Sequence, residues 1–317
     1  MTAAPTVLIS TWDDGVFVFS GGEARRELAG RRVTSLVDAG QGRTLALVDG
    51  RELARRSPDG GWTVLARSDA PLACVLDAAG FVYVGTDEAR LLRLDDHDRL
   101  VPLPGFDAAP GRETWFAGSM VVDGQRLGPP LGIRTLARTA DGAALLANVH
   151  VGGVPRSLDG GATWEPTLDI AWDAHEVTAH PTRAELVICA CAVGLAVSRD
   201  GGATWELETE GLHASYTSAA AFLGDDLLVA ASSDHFAKDG ALYRRSIDGG
   251  ALRRVVGGLP DTFGGIVDTE CIATFGTSVA LADSAGNAYR SDDGGERFAK
   301  IATTLPTPSS VHLLPAG

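Results

Sequence analysis

A short phrase that recurs along this chain constrains its fold more than any other sequence feature. Ser157-Leu-Asp-Gly-Gly-Ala-Thr-Trp164 is followed by Ser198-Arg-Asp-Gly-Gly-Ala-Thr-Trp205, and partial copies begin at Ser57, Ser246 and Ser291. A phrase that returns at intervals of roughly 40–50 residues is typical of repeat architectures, in which each repeat is one supersecondary unit. The chain is therefore expected to be an array of similar small sheets.

Each part of the phrase predicts a tight hairpin. The Asp-Gly-Gly segment supplies positive φ angles at little steric cost, as a short hairpin loop requires. The Asp carboxylate and the Ser hydroxyl can accept backbone N–H bonds within the same turn. Thr-Trp then begins the next strand, where the indole can pack between neighbouring sheets. The phrase thus indicates a structural turn.

The phrase resembles the Asp-box, or BNR repeat, S-x-D-x-G-x-T-W. That motif occurs in β-propellers such as sialidases, sortilin-type receptors, some endoglucanases and photosystem assembly factors. In those families the box is a structural hairpin far from the chemistry. The resemblance therefore implies a propeller fold and transfers no catalytic residue to this chain.

Alignment on the repeat predicts seven blades, with six or eight as alternatives. The best-defined repeat has strand patterns at 176–181, 186–192, 194–198 and 205–208, bounded by Gly, Asp and Pro turns. Degenerate copies of the phrase fall near residues 20 and 94. The predicted hairpin positions are therefore near residues 20, 57, 94, 157, 198, 246 and 291.

The two ends of the chain are predicted to share one blade. Innermost strands are expected to begin near Val33, Leu72, Ile133, Glu176, Thr217 and Asp268. The seventh innermost strand would be 310–314, which would complete the blade formed by 6–10 and 15–19. Closure of this kind removes exposed sheet edges. We therefore predict an all-β, seven-bladed propeller in which residues 1–317 form one domain.

One interval between repeats is too long for a simple turn. About 20 extra residues, from roughly 105 to 130, separate the third and fourth predicted blades. An insertion of this length in a compact repeat fold is either a peripheral hairpin or a functional loop. The segment contains Trp115. Both interpretations, a peripheral hairpin and a lid over a ligand, stay open.

Charge and cysteine content limit which binding partners and which cellular compartment the sequence predicts. The formal net charge of −14 argues against a surface for nucleic acid or anionic membranes. No run of about 18 apolar residues exists, and the first residues lack the pattern of a signal peptide. Cys189 and Cys191 would share one strand face, which favours buried thiols over a disulfide, with thiolate metal ligation as the alternative. Together these features favour a reducing, cytoplasmic setting.

Four histidines are expected on one face of the propeller. The loop entering an innermost strand and the loop after the second strand lie on one face, whereas the repeated hairpins lie on the other. His175 and His213 occupy the first kind of loop, and His150 and His235 the second. Imidazoles that converge with acids are the usual material of a divalent metal site or an acid–base pair. The alternative is a set of scattered surface histidines.

Other polar and aromatic residues map to the same predicted face. The catalytic candidates are His175, Glu176, Glu270 and Tyr216, with the glutamates as metal ligand or general base. Candidates for ligand contact are Trp12, Trp115, Trp172 and Asp268. Carboxylates and imidazoles can transfer protons near neutral pH, and the indoles would supply apolar walls.

The sequence favours a small-molecule-binding propeller that acts as a metal-dependent hydrolase or lyase. Sialidase activity is excluded because the arginine cage that grips a carboxylate is missing; most arginines flank the repeated hairpins. The alternative is a non-catalytic scaffold that docks protein partners, which the resemblance to photosystem assembly factors implies. The sequence names neither the metal nor the substrate.

Overall fold

The computed structural model describes residues 4–78, 80–115, 120–122, 125–127 and 132–315. Its strands, numbered in chain order, form seven four-stranded antiparallel sheets and one short two-stranded ribbon. The fold is a seven-bladed β-propeller, nearly all β, as the sequence predicts. Each sheet is one blade.

The strands of each of the first four blades follow one another along the chain, except that the last strand, β30, belongs to the first blade. The first blade contains β1 (Thr6–Thr11), β2 (Val16–Ser20), β3 (Glu23–Glu27) and β30 (Pro308–Leu314). The second contains β4 (Val33–Asp38), β5 (Thr44–Val48), β6 (Glu52–Arg56) and β7 (Trp62–Arg67). The third contains β8 (Leu72–Ala78), β9 (Phe81–Thr86), β10 (Leu91–Leu94) and β11 (Leu100–Pro102). The fourth contains β14 (Ile133–Arg138), β15 (Leu145–Val149), β16 (Pro155–Ser157) and β17 (Glu165–Pro166).

The remaining blades repeat the same strand order. The fifth contains β18 (Ala174–Ala179), β19 (Val187–Cys191), β20 (Gly194–Ser198) and β21 (Glu206–Glu208). The sixth contains β22 (Tyr216–Leu223), β23 (Asp226–Ser232), β24 (Ala241–Ser246) and β25 (Arg253–Arg254). The seventh contains β26 (Ile272–Phe275), β27 (Ser278–Ala282), β28 (Ala288–Ser291) and β29 (Ala299–Ala302).

Two compact units can be distinguished in the chain. One comprises residues 1–50, 54–63 and 209–317, and the other comprises 51–53 and 64–208. The first unit contains the first, sixth and seventh blades, and the second unit contains the third, fourth and fifth. The second blade contributes residues to both units. Each unit has its own buried aliphatic clusters, which lie between the inward faces of its sheets.

The last strand completes the first blade. β30 pairs with β1 in antiparallel register, with Val7 opposite Leu313 and Ile9 opposite Val311. These four side chains are buried in the core. The predicted pairing of the N-terminal and C-terminal strands is confirmed.

The repeated phrase forms the hairpin between the third and fourth strands of its blade. In the fifth blade, the Ser198 hydroxyl donates to Asp200 Oδ1 and accepts the Gly202 N–H, both at 2.8 Å. Asp200 Oδ1 also accepts the Thr204 N–H at 2.8 Å. Gly202 has a φ of 81°, and a Cβ there would lie 2.2 Å from Leu146 Cδ2. The turn therefore requires the residues that the sequence places there.

Innermost strands begin close to their predicted positions, with one exception. β4, β8 and β14 begin at Val33, Leu72 and Ile133 as predicted. The predicted start at Asp268 is wrong, since β26 begins at Ile272. Glu270 has a φ of 61°, and the Cys271 N–H donates to the Asp268 carbonyl at 2.9 Å. This turn delays the strand.

The segment between the third and fourth blades is only partly described. It includes α1 (Pro104–Asp107), a 3-10 helix (Arg112–Thr114), β12 (Met120–Val122) and β13 (Gln125–Leu127). Residues 116–119, 123–124 and 128–131 of the chain lie outside the described residues. The choice between hairpin and lid for residues 105–130 stays a prediction, as does the assignment of one domain to residues 1–317.

The structure also bears on two sequence predictions, the state of the cysteine thiols and the lack of a membrane-spanning segment. All four cysteines are free and buried, and burial raises the pKa of the Cys189 thiol. This agrees with the interpretation of Cys189 and Cys191 as buried thiols. In the part of the chain that the structure describes, no helix has the length and hydrophobicity needed to cross a membrane.

Candidate metal centre

Two segments of the second unit bring imidazole and carboxylate groups together. His150 directly follows β15, and its N–H donates to the Gly132 carbonyl at 3.2 Å. Asp173 directly follows a 3-10 helix (Ile170–Trp172), and His175 is the second residue of β18. These are the loop after a second strand and the loop entering an innermost strand, as predicted for the two histidines.

The local chain conformation explains how Asp173 reaches this position. The Asp169 side chain accepts the Ala171 N–H at 2.9 Å and so begins the 3-10 helix. Asp173 ends that helix with a φ of 52° and a ψ of 79°. Asp tolerates this left-handed region better than most residues. The reversal of the backbone turns the carboxylate back toward the start of β18.

The Asp173 carboxylate lies between two imidazoles. Its Oδ1 is 3.0 Å from His150 Nε2, and its Oδ2 is 3.8 Å from His175 Nε2. The two rings are 5.6 Å apart between centroids and inclined at 67°. One ligand atom from each of the three residues lies within 4.8 Å of the other two. This spacing allows all three residues to bind a single ion.

Burial and charge shift the pKa values of His150 and Asp173. His150 is 7% exposed and His175 is 1% exposed. Burial lowers the pKa of His150, although the Asp173 carboxylate opposes the shift; the Arg134 charge lowers it further. Burial would raise the pKa of Asp173, but the two imidazoles outweigh it and lower that pKa below its usual value. The lowered pKa values of His150 and Asp173 favour the deprotonated states that a divalent cation requires of its ligands.

Two buried polar atoms near this group lack protein partners. His150 Nδ1 and Asn148 Oδ1 have no hydrogen-bond partner among the described residues. Asn148 is fully buried in β15, two residues before His150. A buried polar atom without a protein partner is rare and requires a bound water or ion. These two atoms at the end of β15 could therefore bind a ligand, a water molecule or an ion.

His150, Asp173 and His175 are called the metal-competent group. Two of the aromatic residues predicted to contact a ligand, Trp172 and Trp115, lie near this group. Trp172 directly precedes Asp173 and is partly buried against the core of the same unit. Trp115 packs on Phe106 at 5.5 Å and beneath the Arg112 guanidinium at 4.9 Å, measured to its ring centroid. A Cβ at Gly152 would lie 3.0 Å from Trp115 Cγ. The glycine therefore leaves room for this indole two residues after His150.

Glu176 is the predicted catalytic carboxylate in this unit. It is buried and follows His175 in β18, where it lies opposite Ala190 of β19. The structure therefore places Glu176 next to His175 in the same strand, and its catalytic role stays a prediction.

The other two predicted metal ligands have different neighbours in the first unit. His213 Nδ1 lies 2.7 Å from the Tyr243 hydroxyl, and His213 Nε2 lies 3.7 Å from Asp239 Oδ2. The His235 ring packs against Phe236 at 4.9 Å, and Phe236 is 86% exposed. The grouping of all four histidines around one ion stays a prediction.

The remaining site candidates also belong to the first unit. Glu270 accepts a hydrogen bond from the Ser35 hydroxyl at 3.0 Å, and burial raises its pKa to about 8. Asp268 Oδ1 accepts the Thr269 N–H at 2.8 Å. Tyr216 begins β22, and Trp12 is 44% exposed with the Arg32 guanidinium 4.6 Å from its ring centroid. Their predicted catalytic and ligand-binding roles stay predictions.

Asp173 is the residue that the sequence analysis did not select. It stands two residues before His175, and residues two apart on an extended strand share a face. This two-residue separation is the sequence signal that could have pointed to Asp173. It is weak, because short acid–His spacings also occur in ordinary surface loops.

Comparison with solved structures places the fold among propellers of several kinds. A candidate 6-phosphogluconolactonase from Bacteroides uniformis has a TM-score of 0.65 at 12% identity, covering 98% of this chain and 99% of that chain. YCF48 bound to a D1 peptide has a TM-score of 0.61 at 14% identity, covering 91% and 93%. An ancestral GH74 enzyme has a TM-score of 0.61 at 13% identity, covering 99% of this chain and 40% of that enzyme. At these identities the likeness shows the fold alone.

No protein-family model matches the sequence, and no curated protein matches it. The solved structures similar to this chain include enzymes and proteins that bind partners.

Proposed function

We propose that the protein binds a divalent metal ion through His150, Asp173 and His175 and acts on a small molecule as a hydrolase or lyase. The observation that carries the proposal is the set of three ligand atoms within 4.8 Å of one another. They come from two chain segments, one after β15 and one at the start of β18, so the fold brings the group together. His150 and His175 are the members of the four-histidine prediction that this proposal retains.

The donor set suits an open catalytic metal site. Two imidazoles and one carboxylate leave coordination positions for water and substrate, and they fit Zn²⁺, Mn²⁺ or Fe²⁺. A metal bound by such a set can polarise a carbonyl group or lower the pKa of a water molecule. Asp173 would balance part of the cation's charge, and the lowered pKa of His150 keeps that imidazole available as a ligand.

The chain's own residues supply the remaining parts of the proposed site. Trp115 and Trp172 would contact the apolar part of the ligand, because both flank the metal-competent group in sequence or in space. Glu176 is the proposed general base. Glu270 belongs to the first unit and is not assigned to this site; with its pKa raised to about 8, it keeps its proton at neutral pH.

Metal titration tests this proposal directly. We expect apo-protein, titrated with Zn²⁺, Mn²⁺, Fe²⁺ and Mg²⁺ in a calorimeter, to bind about one ion of at least one metal per chain. His150→Ala, His175→Ala and Asp173→Asn should each weaken binding by about tenfold or more. His97→Ala, which removes an exposed histidine, is the matched control and should bind like the wild type. Unchanged affinity in His150→Ala with His175→Ala would refute the site.

A protein-docking scaffold is the second candidate function. It is supported by the similarity to YCF48, whose solved structure contains a D1 peptide, and to a structure of the mitotic checkpoint complex. Affinity purification from a cell extract separates the two functions. A scaffold should retain a protein partner at a stoichiometric ratio that Asp173→Asn leaves unchanged, whereas the enzyme should retain metal and no such partner.

We also infer that the repeated phrase is the Asp-box of the BNR propellers. The hairpin position and the bonds of Ser198 and Asp200 support this inference. Substituting Ser and Asp of one copy should lower stability and leave metal binding intact, because these residues belong to the folding turn. A loss of metal affinity without a change in stability would contradict it.

A further inference from the structure

His175 is the extra residue of a β-bulge in the innermost strand of the fifth blade. Ala174 lies opposite Cys191 and Glu176 lies opposite Ala190, so His175 has no residue directly opposite it in β19. A bulge of this kind re-aims a side chain, and bulges are common next to active sites. The bulge thus brings His175 into the metal-competent group while its neighbours keep their pairing.

Arg134 holds the equivalent position in the fourth blade. Ile133 lies opposite Val149 and Thr135 lies opposite Asn148, so Arg134 is the extra residue of β14. The same two-against-one register therefore presents an imidazole in one blade and a guanidinium in the blade before it.

Hydrogen bonds at the start of the two blades support this equivalence. In the fourth blade the His150 N–H donates to the Gly132 carbonyl at 3.2 Å, and in the fifth blade the Ala192 N–H donates to the Asp173 carbonyl at 3.0 Å. Each donor directly follows the second strand of its blade, and each acceptor lies two residues before the bulged residue. Arg134 therefore occupies the place in β14 that His175 occupies in β18.

The backbone around Arg134 is bonded to both parts of the metal-competent group's surroundings. Gly132, two residues before Arg134, accepts the His150 N–H, and the Thr135 hydroxyl, one residue after it, accepts the Val177 N–H of β18 at 2.9 Å. The charge of Arg134 acts on His150, whose pKa it lowers. Arg134 thus lies beside the metal-competent group and belongs to the same unit.

The bulge itself does not require a long or charged side chain. The extra residue at the corresponding register shift is Ala73 in the third blade, Ser218 in the sixth and Ser309 in the first. A small side chain is therefore sufficient for the backbone conformation. The arginine of the fourth blade needs another explanation, and its place beside the metal-competent group supplies one.

The guanidinium of Arg134 is available to a ligand. Arg134 is partly exposed, and among the residues that the structure describes none forms a hydrogen bond or an ion pair with its side chain. If a divalent ion is bound, the carboxylates of Asp173 and of the proposed base Glu176 balance its two charges, and the charge of Arg134 is left over. A guanidinium group can donate paired N–H bonds to two oxygens of one anion. A ligand with an anionic group would therefore complete the charge balance.

We propose that the substrate of the metal centre carries an oxyanion group, a carboxylate or a phosphate, and that Arg134 binds this group. The inference rests on the proposed function, since it assigns a substrate class to the same site. Arg134 is a substrate-binding residue in this arrangement, and the metal ion holds the part of the substrate that reacts.

Matched hydroxamate probes test the proposal by calorimetry on the metal-loaded protein. A hydroxamate chelates a metal ion, so butyrohydroxamate reports on the metal alone. The monohydroxamates of succinate and glutarate add a carboxylate at two distances, and phosphonoacetohydroxamate adds a phosphonate. At constant ionic strength, we expect at least one anionic probe to bind about tenfold or more tightly than butyrohydroxamate. The tightest probe identifies carboxylate or phosphate as the preferred group.

Variants of Arg134 separate anion binding from a structural role. Arg134→Ala should reduce the advantage of the anionic probe to about twofold or less. Because it removes a positive charge near the cation, it should also raise metal affinity by about two- to fivefold. A variant that merely disturbed the fold would lose both affinities. Arg134→Lys keeps the charge and loses the paired donors, so the advantage should be intermediate.

Arg51→Ala removes an exposed arginine of the same unit and is the matched control, which should leave both affinities within about twofold. The proposal is overturned, and the metal site stands, if butyrohydroxamate binds and no anionic probe binds more tightly, or if Arg134→Ala keeps the full advantage. If the wild type binds no metal, the proposed function fails and this inference fails with it.

Discussion

Among single residues, Asp173 contributes most to the candidate metal centre, because it supplies the negative charge between the two imidazoles. Its left-handed conformation places one carboxylate within reach of both His150 and His175. Without it, two buried imidazoles would face each other 5.6 Å apart with no negative charge between them. The residue therefore links the local turn to the proposed chemistry.

The lowered pKa of His150 predicts how metal affinity depends on pH. Protons compete with the metal for the imidazole, and burial lowers the pH at which this competition begins. We expect affinity to stay nearly constant from pH 8 to about pH 6.5, the ordinary pKa of histidine, and to fall below it. Calorimetric titrations at several pH values measure this. A decline that already begins near pH 7.5 would contradict the expected protonation state.

Glu270 predicts a pH dependence of stability with a defined sign. Its pKa is about 8 in the folded protein and near 4.5 when unfolded, so the unfolded state loses its proton first. The contribution to the free energy of unfolding is therefore full below pH 4.5 and is lost as the pH rises to about 8. Glu270→Gln should remove this loss, which is on the order of a few kcal/mol.

Urea unfolding at pH 5 and pH 8.5 measures the effect of Glu270→Gln against the wild type. Glu23→Gln, at an exposed position of the first blade, is the control and should leave the difference between the two pH values as it is. If Glu270→Gln unfolds with the same pH dependence as the wild type, the raised pKa of this carboxyl group in the folded protein is refuted.

Hairpins are the elements in which sequence and structure agree most closely. Ser198 is fully buried and satisfies the Gly202 N–H, whereas Ser246 of the incomplete sixth copy is exposed. Ser198→Ala should lower the free energy of unfolding by about 1–2 kcal/mol, because a buried N–H would lose its partner. Ser246→Ala is the matched control and should change it by less than about 0.5 kcal/mol. Thermal and urea unfolding measure both; equal effects would show that the hydroxyl bond is unimportant.

The strands and hairpins could be predicted because their signals are local. Glycines with positive φ, Asp and Ser within one turn, and the repeat interval are all visible in the sequence. The delayed start of β26 was not predictable in this way, because the left-handed Glu270 belongs to a residue type that rarely adopts that conformation. Such a turn is imposed by the surrounding structure.

The candidate site was predictable only in part. His150 and His175 follow from their places at the ends of strands, which the repeat alignment fixes. Asp173 depends on one backbone reversal after a 3-10 helix and carries no motif of its own. The sequence therefore predicts where His150 and His175 lie in the fold, but it does not predict that Asp173 joins them.

The propeller as a whole supports several functions, so the fold does not decide among them. Structures similar to this chain at 12–14% identity include a GH74 enzyme, a candidate lactonase and a peptide-bound YCF48. Function must then be argued from residues such as those of the metal-competent group.

Stability at the molecular scale should depend strongly on β30. This strand covers the edge of β1 and contributes Val311, Leu313 and Leu314 to the core. A chain that ends at residue 307 should lose cooperative unfolding and aggregate, because an apolar strand edge is exposed. A chain that ends at residue 315 keeps β30 and is the control. Light scattering and thermal unfolding measure the difference; a monomeric, cooperative 1–307 chain would show that β30 is dispensable.

The pairing of β30 with β1 also has a consequence for biosynthesis. The ribosome makes β1 before every other described strand and its partner β30 after all of them. At about 5–20 residues per second, the nascent chain must carry an incomplete first sheet for some tens of seconds. During that interval the free edge is available to chaperones and to neighbouring nascent chains, so the first sheet is completed only when β1 captures β30.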